Sequence, residues 1–318
     1  MFKKWIKKLG ILLLFLFLSL NVITAFHAYK FTHFYDDATP LKKPEEMSGT
    51  EKFSAMFFGV NYPKKKNTDS FLLPHKNVYL KNNDSLLIEA WESYNLPNQN
   101  RIFSKTVIMF HGHGGNKSGV LKEAEAFDSM GYRVFLVDFR AHGNSQGNVC
   151  TIGFSETNDV LIAYNYIKQK YNEDIILWGI SMGAATILKA VDEYNLKPIK
   201  IICEMPFATL QDAVKGRVRM MKLPEQPIST LLTFWGGTQQ GFWAFGYKPK
   251  EYVSKIKCPI LLQWGKQDPR VSSKETYDIY NAINSKKQLI VYDSAAHQSL
   301  CKHDFEKWYI NVDSFLKN

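Results

Sequence analysis

Four short segments of this 318-residue chain carry residues whose types suit acyl transfer. Ser181 stands in Trp178-Gly179-Ile180-Ser181-Met182-Gly183, between an apolar run at 174–178 and a helix-forming run at 184–193. A serine flanked in this way suits a nucleophile elbow, because on a strained strand-to-helix turn only glycine lets the neighbouring backbone pass closely. Its hydroxyl is a weak nucleophile until a base removes the proton and an acid orients that base. His297, in Ala295-Ala296-His297-Gln298 after the strand-like 289–292, is the candidate base. Asp268, in Gly265-Lys266-Gln267-Asp268-Pro269-Arg270-Val271 after the apolar 260–264, is the candidate acid. Glu204, at the end of 199–204, is a rival ranked behind it, since a carboxylate there is readily satisfied by N–H groups of the next turn. The fourth segment, His111-Gly112-His113-Gly114-Gly115, follows the strand-like 106–110. Its backbone N–H at His113, together with that of Met182, would hold the oxyanion of a tetrahedral intermediate.

The elements that must position these residues read as alternating strands and helices: apolar runs at 106–110, 133–139, 174–178, 199–204, 260–264 and 289–292, separated by helical stretches. Such alternation is the signature of βαβ units and a parallel sheet covered by helices. Residues 78–91 read as a hairpin that opens the sheet. In that frame the serine, the acid and the base each fall on a loop after a strand, in the order Ser181, Asp268, His297, and so can meet across the carboxyl ends of the strands.

At these residues the chain resembles the α/β-hydrolase family, in the branch grouped around serine aminopeptidases and monoacylglycerol-lipase-like enzymes. The resemblance runs from about residue 77 to the C-terminus. It includes Asp138-Phe139-Arg140-Ala141-His142-Gly143-Asn144-Ser145, similar to that branch's Asp-x-Arg-Gly-x-Gly-x-Ser loop with Ala141 in place of the first glycine. It implies an α/β-hydrolase fold with a mostly parallel central sheet flanked by helices, and a small cap at about 206–257, inserted between strands six and seven. It also implies a serine hydrolase that cleaves carboxylic esters through an acyl-enzyme. The alternation lapses in the cap stretch, which is rich in aromatics and glycines. Trp235, Phe242 and Trp243 there, with His142, are the candidate pocket residues, though each ring could equally pack the cap onto the sheet. His111 is expected to hydrogen-bond within its loop, and His303 to lie on the surface. A serine peptidase would need an acidic cluster to bind a substrate amine, and none is visible in the cap. An idle hydrolase fold that only binds ligands is the other alternative, opposed by the complete set of serine, acid, base and oxyanion donors.

The N-terminus has a different character. Lys3, Lys4, Lys7 and Lys8 precede an uncharged stretch from 9 to 29, and 21 helical positions reach about 30 Å, the thickness of a hydrocarbon core. The lysines before the run and Asp36 and Asp37 after it place the N-terminus in the cytoplasm and the rest outside. The expected division is a signal-anchor at 1–35, a linker packed on the domain at 36–76, and the hydrolase domain at 77–318. Secretion after cleavage near Ile23-Thr24-Ala25 is the alternative to a retained anchor. Half of the formal net charge of +10 lies in those first 35 residues, so the remainder carries no exceptional charge. Lys64-Lys65-Lys66 reads as a solvated loop that could touch anionic headgroups. No nucleic-acid motif, nicotinamide fingerprint or P-loop occurs, and the four cysteines lack zinc spacing. No cofactor or metal is expected. Export would permit a disulfide, for which Cys150 and Cys301 are the candidate pair.

Overall fold

Strand-forming runs that are apolar at nearly every position demand cover on both faces, and the chain supplies it. The computed structural model describes residues 2–37, 39, 41–42, 46–68, 71–96, 103–171 and 173–318; residues 38, 40, 43–45, 69 and 70 of the expected linker lie outside the described residues. The chain opens with α1 (Phe2–Thr32), β1 (Phe34–Tyr35), α2 (Gly49–Phe58) and β2 (Tyr62–Pro63). The antiparallel hairpin β3 (His75–Lys81) and β4 (Leu87–Ser93) follows. Next come β5 (Lys105–Phe110), α3 (Leu121–Ser129), β6 (Arg133–Val137), α4 (Thr157–Tyr171), β7 (Asp174–Ile180), α5 (Met182–Glu193) and β8 (Lys200–Glu204). The chain then forms α6 (Leu210–Met220), α7 (Ile228–Gln239) and α8 (Pro249–Tyr252). It closes with β9 (Ile260–Gly265), α9 (Ser273–Ala282), β10 (Lys287–Tyr292), α10 (Leu300–His303) and α11 (Phe305–Lys317).

Eight strands make one sheet in the order β10-β9-β8-β7-β5-β6-β4-β3, parallel except that β4 runs against both of its neighbours. Alternate residues of a strand point to opposite faces, so Ile108 and Phe110 join the core under α4 and α5, whereas Val107 and Met109 join Phe127 and Trp308 on the other side. Cys150 belongs to the first core and Cys301 to the second. The sheet therefore separates the two, and both are free thiols, which corrects the expected disulfide.

The segment before the sheet is more structured than a linker. Ser48 and Glu51 form a capping box that starts α2, and β1 pairs with β2. Lys64 is not solvated: its buried ammonium donates to the carbonyls of Ser145 (2.5 Å) and Gly147 (3.2 Å). Lys66 is exposed and paired with Asp36. The last third of α1 lies along α7, where Trp235 donates to Asn21 Oδ1 (3.2 Å) and Gln239 to the Ala25 carbonyl (2.9 Å). Thr24, Ala28 and Thr32, one helical turn apart, are buried there. The earlier part of α1, through Leu18, is exposed.

Candidate active site

Every loop singled out by its residues leaves the carboxyl end of a parallel strand. At the end of β7 the chain turns so sharply that Ser181 takes φ 54° and ψ −115°, a region costly to any residue with a Cβ. The turn survives because its flank is bare: a Cβ on Gly183 would sit 2.3 Å from the Phe110 carbonyl oxygen. The loop after β9 brings Asp268 forward and the loop after β10 brings His297, the two tied by Gln267 N–H donating to the Ala295 carbonyl (2.9 Å). His297 Nδ1–H donates to Asp268 Oδ2 (2.6 Å), and Ser181 Oγ–H donates to His297 Nε2 (2.9 Å). The second oxygen of Asp268 accepts from the N–H groups of Arg270 (2.7 Å) and Val271 (3.0 Å). That arrangement fixes the carboxylate plane and so the imidazole that leans on it.

His113 and Met182 line the same cavity as Ser181 and His297. Among the described residues neither of their N–H groups donates to a protein acceptor. Three neighbouring imidazoles do a different job. His111 donates to the Gly112 carbonyl (2.8 Å) and accepts from Phe139 N–H (3.1 Å). His142 donates to the Arg140 carbonyl (2.8 Å) and accepts from Gly114 N–H (3.0 Å), which pins the loop after β6 to the loop after β5. Burial first, then the neighbouring His111, pushes His142 down to about 3. It stays neutral, as a ring that must both donate and accept requires. Ala141 holds φ 63°, so this loop keeps a left-handed turn although its residue carries a Cβ. His113 donates to the Phe31 carbonyl (3.3 Å), stacks on the Phe31 ring at 4.4 Å and accepts from Arg217 (3.4 Å). Burial, followed by the charge of Arg217, holds it well below the usual histidine range.

Of the pocket residues expected from composition, Phe242 lines the cavity and stacks on Phe154 at 4.1 Å. The others go elsewhere. His142 is the buried brace just described, Trp235 turns to α1, and Trp243 is exposed against Phe245. Glu204, the rival acid, accepts from the indoles of Trp308 (2.6 Å) and Trp178 (3.1 Å) rather than from His297. Burial, then the nearby Glu123, pushes it up to about 8. His303 is a surface residue that accepts from Gln298.

The cavity measures about 810 Å³, and much of its wall comes from residues that no local motif marks. Phe31 and Thr32 arrive from the end of α1, Leu232 and Thr233 from α7, Arg217 from α6 and Arg270 from the acid's own loop. Of these, only Arg270 lies inside a segment read for the serine, the acid, the base or the oxyanion donors, and nothing in that pattern says where its side chain points.

A family model described as "Serine aminopeptidase, S33" matches residues 103–240. The solved esterase Pf2001 of Pyrococcus furiosus is 25% identical, with a TM-score of 0.66, over 80% of this chain and 96% of that one. The chain has the α/β-hydrolase fold and is similar to enzymes of that family. Its relatives include the Bacillus subtilis protein YqkD, 27% identical over 67% of this chain and 71% of that protein. They also include the lysophosphatidylserine lipase ABHD12 of Danio rerio, 25% identical over 59% of this chain. The chain spans about half of that lipase, 52% of its length.

Proposed function

We propose that this α/β-hydrolase cleaves carboxylic esters of an apolar acyl group, through an acyl-enzyme on Ser181. The observation that carries the reading is the unbroken hydrogen-bond chain from Asp268 through His297 to Ser181, at 2.6 and 2.9 Å. In it, His297 takes the Ser181 proton as Oγ attacks the ester carbonyl, and Asp268 stabilises the resulting imidazolium. The N–H groups of His113 and Met182 donate to the developing oxyanion. His297 then returns the proton to the departing alcohol, and a water molecule activated by the same imidazole releases the acid.

The cavity wall favours an ester over a peptide's free amino end. Among the described residues it carries Lys30, Lys65, Arg217 and Arg270 but no aspartate or glutamate, so a substrate ammonium would meet cations there. Phe31, Phe207, Leu210, Leu232 and Phe242 give an acyl chain apolar cover, consistent with the esterase and lipase among the relatives.

In the same reading α1 is a retained membrane anchor whose first two turns carry four lysines, and the hydrolase domain lies on the exported side. Among the described residues α1 is the one helix long and apolar enough to cross a membrane. The segment Ile23-Thr24-Ala25 is helical, and Gln239 of α7 donates to the Ala25 carbonyl, which supports retention of α1 over cleavage there.

Labelling by a fluorophosphonate probe and turnover of p-nitrophenyl esters test the assignment. Both are expected in the parent and absent in Ser181→Ala. Labelling that persists in that variant overturns the nucleophile, and efficient cleavage of aminoacyl amides with no ester turnover overturns the substrate class.

A further inference from the structure

The cavity holds two cations that the acyl-transfer steps do not use. Among the described arginines, Arg133, Arg140 and Arg219 each bind a carboxylate, of Glu173, Asp159 and Glu225 respectively. Arg217 and Arg270 bind none, and both face the cavity that Ser181 and His297 line. Asp268, the carboxylate on Arg270's own loop, has its oxygens committed to His297 and to backbone N–H groups. Arg270 Nε is buried without an acceptor.

The two arginines are forced together by the backbone. A Cβ at Gly216 would lie 2.2 Å from the Arg270 carbonyl oxygen, so α6 rests directly on the acid's loop and the next residue, Arg217, stands beside Arg270. Like charges so placed repel. Arg217 is pushed down to about 10, by burial first and by Arg270 second. Arg217 is also held in place, donating to His113 and lying 4.7 Å over the Phe31 ring. A protein that brings two guanidinium groups together in a partly desolvated cavity, supports one of them and gives neither a carboxylate has left an anion's place open. Lys65, also on the wall, adds to the same field.

We infer that Arg217 and Arg270 form an anion subsite beside Ser181, which selects esters carrying a phosphate group on the alcohol side. The inference rests on the acyl-transfer reading above. A lone carboxylate would be satisfied by one guanidinium in bidentate fashion, whereas a tetrahedral phosphate offers oxygens to two guanidinium groups approaching from different elements. Phosphate held there neutralises the pair, and the acyl chain extends along the apolar wall.

The experiment uses the full chain in detergent with three esters of one acyl chain: a monoacylglycerol, the same ester bearing a glycerol phosphate, and its hemisuccinate. The parent is expected to show the highest kcat/KM for the phosphate ester. In Arg217→Gln and Arg270→Gln the ratio of phosphate to neutral ester should fall about tenfold or more each, as loss of a charged hydrogen bond implies. Arg→Lys at either position should restore part of that ratio. Inorganic phosphate, tested as an inhibitor of the neutral ester, separates recognition of any phosphate from recognition of one joined to an acyl ester.

Equal loss on all three esters, or unchanged ratios, overturns the subsite, as does a parent that prefers the hemisuccinate. A parent that labels with fluorophosphonate and turns over the neutral ester, yet has no preference for phosphate, refutes the subsite and leaves the esterase reading standing. A parent that does not label refutes the esterase reading itself. A variant that fails to fold is recognised by loss of labelling at Ser181, and its Lys counterpart then decides.

Discussion

Two regions meet at the cavity and are built on opposite plans. The rim of the sheet holds Ser181, Asp268 and His297 by a strained turn, paired backbone N–H donors and short hydrogen bonds. The wall opposite comes from α1, α6 and α7, and is held by ring stacking and single amide contacts such as Gln239 to Ala25. A small error in position at the rim costs reactivity, because reacting atoms must already be aligned. The same error in the wall changes only which groups fit. Chemistry and selectivity are therefore separable here, and substitutions should separate them.

The largest effect belongs to the rim. Ser181→Ala should lower kcat by on the order of 10⁶, read on an activated acetyl ester with folding checked by thermal melting. Asp268→Asn should cost about 10⁴, since the imidazole loses the partner that fixes its tautomer. A loss comparable with that in Glu204→Gln instead would move the orienting role away from Asp268.

The wall should yield smaller, selective changes. If Phe31 and Phe242 cover the acyl chain, kcat/KM in the parent should rise about fourfold per added methylene until the cavity fills. Phe242→Ala should flatten that slope while leaving acetyl esters within a few-fold. A chain that begins after residue 32 lacks Phe31 and uncovers α7, so its slope should flatten too. An unchanged slope in both proteins would place the acyl chain elsewhere.

The smallest effect concerns stability rather than turnover. Glu204 is pushed up to about 8 from its ordinary 4.5, so between those values the folded protein keeps a proton that the unfolded chain has released. Stability from this group is complete below the lower value and is lost as pH rises through the upper one, at most about 1.4 kcal/mol per pH unit. Glu204→Gln should remove that slope from a series of melts between pH 5 and 8. A slope that survives the substitution assigns it to other groups.

The rim was the readable part for a physical reason. A strained elbow admits few residue types, so glycines 179 and 183 announce it locally, and chain order does the rest. The strands were readable because burial on both faces needs an unbroken apolar run. The wall had no such local demand. Phe31 reaches His113 across 82 positions, and no periodicity records a contact of that kind. Lys64 looked solvated beside two other lysines, yet two carbonyls from the loop after β6 satisfy its ammonium. Trp243 looked like a wall residue but is largely exposed, whereas Phe242, its neighbour, turns inward. The α2 helix was within reach, since Ser48 and Glu51 stand three apart as a capping box requires.

The clamp between α1 and α7 begins at Asn21, and that position has a consequence for depth. The uncharged residues upstream of it, 9–20, rise only about 18 Å at 1.5 Å each, against about 30 Å of hydrocarbon. On the proposed crossing, the remaining dozen or so ångströms must come from the stretch of α1 already fastened to α7. On that proposal α7 would be drawn down to the headgroup and acyl boundary with α1, and the exposed side chains of Phe53, Met56, Met221 and Phe234 would be available to it. An ester dissolved in the bilayer would reach the serine by moving sideways past α1, without first leaving for water.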